Sequence, residues 1–292
     1  MFKLAFASCS KIQDLPAQPA WADIQAQQPD ALLLLGDNIY LDHDQHQQPG
    51  PLAAELDALY ARQFAEPGFA ALLADLRARQ APLLAVYDDH DFLGDNRCGA
   101  DHDPALREAA RAAFVRAFQP MQTGPDVYAR QALGLVDVIL LDTRFYRTHP
   151  ARSVDPRNAM LGAQQWAWLE QQLQASTAPC LVLASGSTLH SFGDESWEQY
   201  PGAFQRLVSL LKDRTGALVL SGDAHRNAVY DDSGVVEIVS SAVARRGIVF
   251  GAERRNHGLL RVDAQGVQVD LMGLKVGNRF SFRIARAHWA LP

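Results

Sequence analysis

Short apolar runs recur through the first three quarters of the chain, at 3–7, 31–35, 82–87, 136–141, 180–184 and 217–220. Their apolar residues are continuous rather than alternating, which is typical of strands buried on both faces of a sheet. Leucines and alanines at three-to-four-residue spacing predict helices between these runs, at 51–64, 69–79, 104–118, 162–174 and 201–212. Strands that alternate with helices predict an α/β domain built in layers.

The pattern changes in the last quarter of the chain. Short β-like runs occur at 227–230, 235–239, 258–262 and 267–271, with turn residues between some of them. We therefore predict that the C-terminal part, about 227–285, is mostly antiparallel β. The 292 residues are within the range of one large α/β domain with insertions, so we predict a single domain over 1–292.

Composition excludes several classes of protein. The net charge of −6 argues against a dedicated nucleic-acid partner, because such proteins attract phosphates with net positive charge. No apolar run approaches the roughly 18 residues of a membrane span, and the N-terminal run is too short for a signal peptide. Three cysteines cannot form a complete set of disulfides. We predict a cytoplasmic protein with no membrane partner.

Polar clusters follow four of the apolar runs. They are Ser-Cys at 8–9, Gly-Asp-Asn-Ile-Tyr at 36–40, Tyr-Asp-Asp-His-Asp at 87–91 and Ser-Gly-Asp-Ala-His at 221–225. A single Gly-Asp at the end of a strand is usually a turn, but ligands of open α/β sheets bind beyond the carboxyl ends of the strands. Carboxylates gathered there repel one another unless cations offset their charge. The clusters together predict a site for two or more metal ions.

These four clusters in this order, with Asn96 after the third, resemble the PhoD-like metallophosphatases of the calcineurin-like metallophosphoesterase superfamily. The segment 141–147 also resembles that family. The resemblance implies an α/β fold, a four-layer α-β-β-α metallophosphoesterase sandwich of two mixed β-sheets flanked by helices. It further implies a metal-dependent phosphomonoesterase or phosphodiesterase, in which a metal-bound hydroxide at a binuclear centre attacks a small phosphorylated substrate.

The resemblance also assigns roles to single residues. The implied metal ligands are Cys9, Asp37, Tyr40, Asp89, Asp223 and His225. Asp37 would bridge the ions, Tyr40 and Cys9 would bind Fe³⁺, and Asp89 would bind a divalent ion, which could be Ca²⁺, Mn²⁺, Mg²⁺ or Zn²⁺. His90 would face the phosphoryl group as a catalytic residue. Arg144 and Arg147 follow a predicted strand, so their guanidinium groups could hold the phosphate.

Several residues near these motifs keep two interpretations. Asp88 could be a ligand or could orient one, and Asn96 could cap a loop or contact an ion or the substrate. Asn38 is expected to point away from the metals. His190 is a further possible ligand, and Arg245 or Arg246 could also hold phosphate.

Four further alternatives also remain. Cys9 could be a small buried apolar residue, and Tyr40 could be a packing aromatic. The protein could be a non-catalytic metal- or phospho-ligand-binding module of the same fold. It could also be a thiol hydrolase with Cys9 as nucleophile and His90 or His225 as base. The pattern leaves the substrate, the metals and the oligomeric state open.

Overall fold

The computed structural model describes residues 1–42, 46–118, 127–153, 155–190, 195–246, 253–273 and 280–285. The strands are β1 (Phe2–Ala7), β2 (Ala31–Leu35), β3 (Leu83–Val86), β4 (Ala129–Leu133), β5 (Val136–Leu140), β6 (Cys180–Ser185), β7 (Ala217–Ser221), β8 (Asn227–Tyr230), β9 (Val236–Ser240), β10 (Arg245–Arg246), β11 (Glu253–Arg254), β12 (His257–Asp263), β13 (Gly266–Met272) and β14 (Phe280–Ala285). The helices are α1 (Ala20–Ala26), α2 (Pro49–Phe64), α3 (Pro67–Ala78), α4 (Asp89–Phe92), α5 (Pro104–Phe118), α6 (Gly162–Ala175) and α7 (Pro201–Leu211).

Two six-stranded mixed sheets form the centre of the molecule. The first has the order β14-β13-β12-β1-β2-β3, and the second has the order β4-β5-β6-β7-β9-β8. β1, β2 and β3 are parallel, and β5, β6, β7 and β9 are parallel. The neighbouring strands β12, β13 and β14 are antiparallel. β10 and β11 form a separate two-stranded antiparallel ribbon.

Burial on both faces explains why the central strands are continuously apolar. In β2, Leu33 packs between the two sheets, in a cluster that also contains Val182 and Leu220 of the second sheet. Leu32 and Leu34 point the other way, into a cluster shared with α1, α2, α3 and α5. The outer face of the second sheet packs against α6 and α7 in a third cluster. The predicted α/β sandwich of two mixed sheets flanked by helices is thus confirmed.

The predicted strands and helices of the first 220 residues all occur, with ends shifted by up to two residues. Pattern analysis missed α1, the four-residue α4, β4, β14 and the ribbon β10–β11. β4 reads Ala-Arg-Gln-Ala-Leu at a sheet edge, where its half-exposed residues need no apolar run. Within the predicted antiparallel region, residues 247–252 and 274–279 lie outside the described residues. No helix in the described ranges is long and apolar enough to cross a membrane.

Candidate metal centre

The ends of β1, β2 and β7 bring three of the polar clusters to one place. The backbone N–H of Cys9 donates to the carbonyl of Gly36 at 3.2 Å, and that of Ser10 donates to the carbonyl of Asp37 at 2.9 Å. The β7 end approaches so closely that a Cβ on Gly222 would lie 2.4 Å from the carbonyl oxygen of Leu35. A side chain at position 222 would therefore push β7 away from β2.

The predicted ligands sit on unusual backbone. Cys9, Asp37, Asp223 and His225 all have left-handed φ values, of 58°, 51°, 62° and 51°. A non-glycine residue in this region costs about 1–2 kcal/mol, and such residues cluster at functional sites because the surrounding fold holds them there. The described ranges contain eight non-glycine residues with positive φ, and four of them are these predicted ligands. This concentration of backbone strain is typical of a functional site.

Two groups of potential ligand atoms meet at one carboxylate. Cys9, Asp37 and His225 each offer an atom within 4.8 Å of the others, and so do Asp37, Asp89 and His90. Asp37 belongs to both groups, which is the position that a bridging carboxylate needs. His90, predicted to face the substrate, therefore also lies at the distance of a ligand.

Tyr40 and Cys9 both contact Asp37. The Tyr40 hydroxyl donates to Oδ2 of Asp37 at 2.8 Å and lies 3.5 Å from Nε2 of His225. The Cys9 Sγ is 3.4 Å from the same Asp37 oxygen and 3.0 Å from the hydroxyl of Ser241. Burial raises the pKa of the Cys9 thiol and raises the pKa of Tyr40 well above its ordinary value. A bound cation would have to displace both protons, which couples metal binding to pH.

The carboxylates of the site are left without full partners. Asp37 Oδ1, Asp88 Oδ2 and Asp89 Oδ1 are buried and have no hydrogen-bond partner among the described residues. Burial and the neighbouring acids raise the pKa of Asp37 well above its ordinary range. Buried carboxylate oxygens that accept no hydrogen bond from the described part of the chain, next to a thiol, a phenol and an imidazole, fit cations of mixed hardness. The residues therefore fit a two-metal centre.

Asp223 and His225 come from the same turn but differ in surroundings. Asp223 is half-buried and lies outside both groups of ligand atoms; burial and the charges of Asp88 and Asp89 raise its pKa well above the ordinary range. Burial, followed by the charges of nearby arginines, lowers the pKa of His225 to about 3. His225 is therefore neutral near pH 7, the form in which an imidazole binds a metal.

The structure separates the residues that had two interpretations. The backbone N–H of Asn96 donates to Asp89 Oδ2 at 2.8 Å, and its side-chain amide faces Glu195. The Asn38 amide donates to the carbonyl of Val86 at 3.0 Å, away from the ligand groups. The backbone of Asn96 therefore holds the Asp89 carboxylate, and the Asn38 amide is bound by the carbonyl of Val86.

His190 also lies apart from the ligand groups. Its Nδ1 is 2.8 Å from Oε2 of Glu237, a carboxylate with 0% exposure on β9. The same carboxylate accepts from the hydroxyl of Ser221 at 2.6 Å. These contacts give His190 a structural partner within the second sheet.

Arg144 is not placed as predicted. Its side chain has 0% exposure, Nε lies 2.5 Å from Asp88 Oδ1 and Nη2 lies 2.6 Å from Glu195 Oε2. Carboxylates occupy these donors, so the structure gives no support to the predicted contact with substrate. Burial opposes the ionisation of Asp89, but the charges of Arg144 and His90 outweigh it and hold the Asp89 pKa below its usual range. Arg144 positions carboxylates.

Arg147, which the sequence also suggested for phosphate, and Glu195, which sequence analysis missed, complete this buried network. Arg147 donates to the hydroxyls of Ser187 at 2.8 Å and Tyr200 at 3.0 Å, and also to the backbone carbonyl of Glu195. Arg147 lies in the segment 141–147 that resembles the family, so a signal existed. Glu195 stands 51 residues after its partner Arg144, and no local pattern marks it.

Comparison with known proteins gives relatives of two kinds. The chain is 29% identical to alkaline phosphatase D of Bacillus subtilis (strain 168) over 192 aligned positions, which cover 52% of this chain and 33% of that protein. The matched part thus spans about a third of the relative's length. Among solved structures, a dimetal phosphatase from Danio rerio has a TM-score of 0.58 at 13% identity, over 98% of this chain and 99% of that one.

A second solved structure, GAP50, the anchor in the inner membrane complex of Plasmodium, also has a TM-score of 0.58 at 13% identity, over 97% of this chain and 88% of that one. At such low identity these two structures show a shared fold and no more. The sequence comparison is more specific, because the model of the PhoD-like phosphatase family matches residues 4–268. This chain, with its ligand clusters inside the matched range, belongs to the PhoD-like phosphatase family.

Proposed function

We propose that this protein is a metal-dependent phosphoric-ester hydrolase that acts on a small phosphorylated substrate. The observation that carries the proposal is the position of Asp37 in two adjoining groups of ligand atoms, one with Cys9 and His225 and one with Asp89 and His90. Membership of the PhoD-like phosphatase family supports the same reaction class.

The donor types divide between the two groups. Cys9, Tyr40 and His225 surround one end of Asp37 and suit a ferric ion, whereas Asp89 offers hard oxygen to a divalent ion such as Ca²⁺, Mn²⁺, Mg²⁺ or Zn²⁺. Such a pair of ions, when bound, would activate the attacking water and offset the charge on the phosphoryl group.

The protein's own residues would orient the reaction. His90 is half-buried, with Nδ1 3.4 Å from the carbonyl of Leu41 and Nε2 3.5 Å from Asp95. Its ring lies 4.2 Å from that of Tyr40, which fixes the plane of the imidazole beside the ligand groups. In this position His90 can hold a phosphoryl oxygen or give a proton to the leaving oxygen.

Hydrolysis by Cys9 as a nucleophile fits less well. The thiol has 0% exposure and burial raises its pKa, whereas a reactive cysteine is an accessible thiolate. A metal ion at the same position would instead stabilise the thiolate as a ligand. The structure contains no disulfide among its three cysteines, Cys9, Cys98 and Cys180, all of which are described. The cytoplasmic location stays a prediction.

The test is hydrolysis of p-nitrophenyl phosphate and bis(p-nitrophenyl) phosphate before and after exhaustive chelation, with metal content measured by elemental analysis. We expect chelation to abolish turnover, and iron with a divalent ion to restore it. The ratio of the two rates assigns monoester or diester preference. Full turnover by a metal-free protein would overturn the proposal, and a metal-loaded protein inactive on both esters would indicate the non-catalytic module instead.

A further inference from the structure

The ribbon of β10 and β11 places two arginines directly opposite each other. Arg245 and Arg254 are register partners in this antiparallel pair, so their side chains leave the same face of the ribbon. Like charges in opposite positions destabilise a pair of strands unless something negative lies between or beside them. Asp14, 4.0 Å from Arg245, offsets part of this charge, and a bound anion would offset more of it.

That face of the ribbon is turned toward the candidate metal centre. The guanidinium carbon of Arg245 lies 4.6 Å from the centroid of the Tyr40 ring. Arg254 donates from Nη1 to the backbone carbonyl of His225. Both arginines thus contact residues of the group that surrounds Asp37, and a ligand of the centre would come within their reach.

Arg245 has donor capacity that the described residues do not use. Its side chain is 14% exposed, and the one ion pair that it makes within the described ranges, with Asp14, has a length of 4.0 Å. Its Nε is buried and makes no hydrogen bond in the described part of the chain. The neighbouring cation Lys11 by contrast donates to the carboxylate of Asp42 at 2.7 Å. A buried donor without a partner costs free energy, which a bound anion would recover.

We propose that Arg245 and Arg254 form an arginine clamp that binds oxygens of the phosphoryl group at the mouth of the candidate metal centre. The identity of the anion rests on the proposed function. A planar guanidinium matches two oxygens at once, so the clamp orients the phosphoryl group as well as attracting it. It takes the part that the sequence suggested for Arg144, whose donors are occupied by Asp88 and Glu195.

The experiment compares Arg245→Gln with Arg246→Gln in the metal-loaded protein. Arg246 is the matched control, because it is the next residue of the same strand, points to the opposite face and is exposed. Inorganic phosphate is the probe, with affinity measured by calorimetry and metal content by elemental analysis. We expect Arg245→Gln to weaken phosphate binding on the order of 10- to 100-fold with unchanged metal content, as for the loss of a charged hydrogen bond. Arg246→Gln should change it less than about twofold.

Arg245→Lys and Arg254→Gln refine the assignment. Lysine keeps the charge without the fork, so Arg245→Lys should recover part of the affinity and leave the KM for an ester above the wild-type value. Arg254→Gln should also weaken phosphate binding, as Arg245→Gln does. The metal content of that variant is measured as well, because Arg254 also holds the carbonyl of His225.

Three results would overturn the clamp: no phosphate binding by the wild type, equal affinities of the two glutamine variants, or loss of metal from Arg245→Gln. The last would show that Arg245 holds the centre together instead. The clamp and the proposed function can fail separately. Phosphate binding that depends on Arg245 in a protein that hydrolyses no ester would contradict the function alone. Normal ester hydrolysis, together with the same phosphate affinity in Arg245→Gln as in the wild type, would contradict the clamp alone.

Discussion

Arg144 and Asp88 form an ion pair sealed from solvent behind the candidate metal centre, with Nε 2.5 Å from Oδ1 and side-chain exposures of 0% and 1%. Glu195 holds the other side of the same guanidinium. Asp88 starts the turn that carries Asp89 into the centre, so the pair links a buried charge network to a predicted ligand. The function of this arginine is therefore to fix the position of carboxylates.

Replacement of Arg144 by methionine should destabilise the protein strongly. The variant leaves Asp88 and Glu195 buried without their cation, which typically costs about 3–5 kcal/mol in the free energy of unfolding. Urea denaturation measures this loss. Arg116→Met is the control, because its ion pair with Asp57 is half exposed and contributes under about 1 kcal/mol. Equal losses in the two variants would contradict the role given to Arg144.

The sequence predicted the layers well because the central strands are buried on both faces. A strand such as 31–35 has no exposed side to interrupt its apolar run, and its pattern alone identifies it. The edge strand β4 has no such signal. The ligand clusters could be predicted because each directly follows a strand. The hydrophobic pattern does not, however, predict which groups an arginine side chain will contact. The sequence suggested Arg144 as a phosphate ligand, because nothing near it in the chain shows that its guanidinium donates to Glu195, which comes from a distant loop.

Metal binding should stabilise the native protein through Asp37. At a free metal concentration 100 times Kd, binding adds about 2.7 kcal/mol to the free energy of unfolding. Thermal unfolding with chelator and then with added iron and manganese should show a rise in Tm for the wild type and little or none for Asp37→Asn.

Asp137→Asn is the matched control. Asp137 is buried but pairs with Arg130 in the second sheet, so its variant should keep the response to metal. A full response in Asp37→Asn would remove Asp37 from the centre.

The buried His257 should make stability depend on pH. Burial lowers its pKa from 6.5 to about 4, because the charged ring would lose its hydration. Between these values the unfolded chain binds a proton that the folded protein does not. The free energy of unfolding therefore falls as the pH is lowered from 6.5 toward 4, by about 2 kcal/mol between pH 7 and pH 5 from this group.

The difference between variants isolates this contribution. His257→Leu should lose about 2 kcal/mol less than the wild type between pH 7 and pH 5, since its other titrating groups are unchanged. The exposed His149 provides the control substitution, His149→Leu, which should follow the wild type. Urea denaturation at the two pH values gives the comparison. Parallel pH dependence in His257→Leu and the wild type would show that His257 is not the source.

The proposed ferric site should give the purified protein a visible absorption band. Phenolate and thiolate are electron-rich, and ferric iron accepts charge from them on excitation. Tyr40→Phe keeps the ring and removes only the hydroxyl that now contacts Asp37, so it should shift or bleach the band while Tm changes modestly. Cys9→Ser replaces a soft donor with a hard one and should weaken the site.

Tyr87→Phe is the matched control for colour. Its hydroxyl is also buried and also donates to a carboxylate at 2.7 Å, but that carboxylate, Asp142, belongs to neither ligand group. The band should therefore survive this substitution even if stability falls by about 1 kcal/mol with the lost hydrogen bond. A colourless, iron-free protein that still hydrolyses esters would leave a purely divalent centre. The removal of a ligand changes the absorption spectrum of the metal that it binds. An absorption band that is the same in the wild type, Tyr40→Phe and Cys9→Ser would therefore place the iron on other residues.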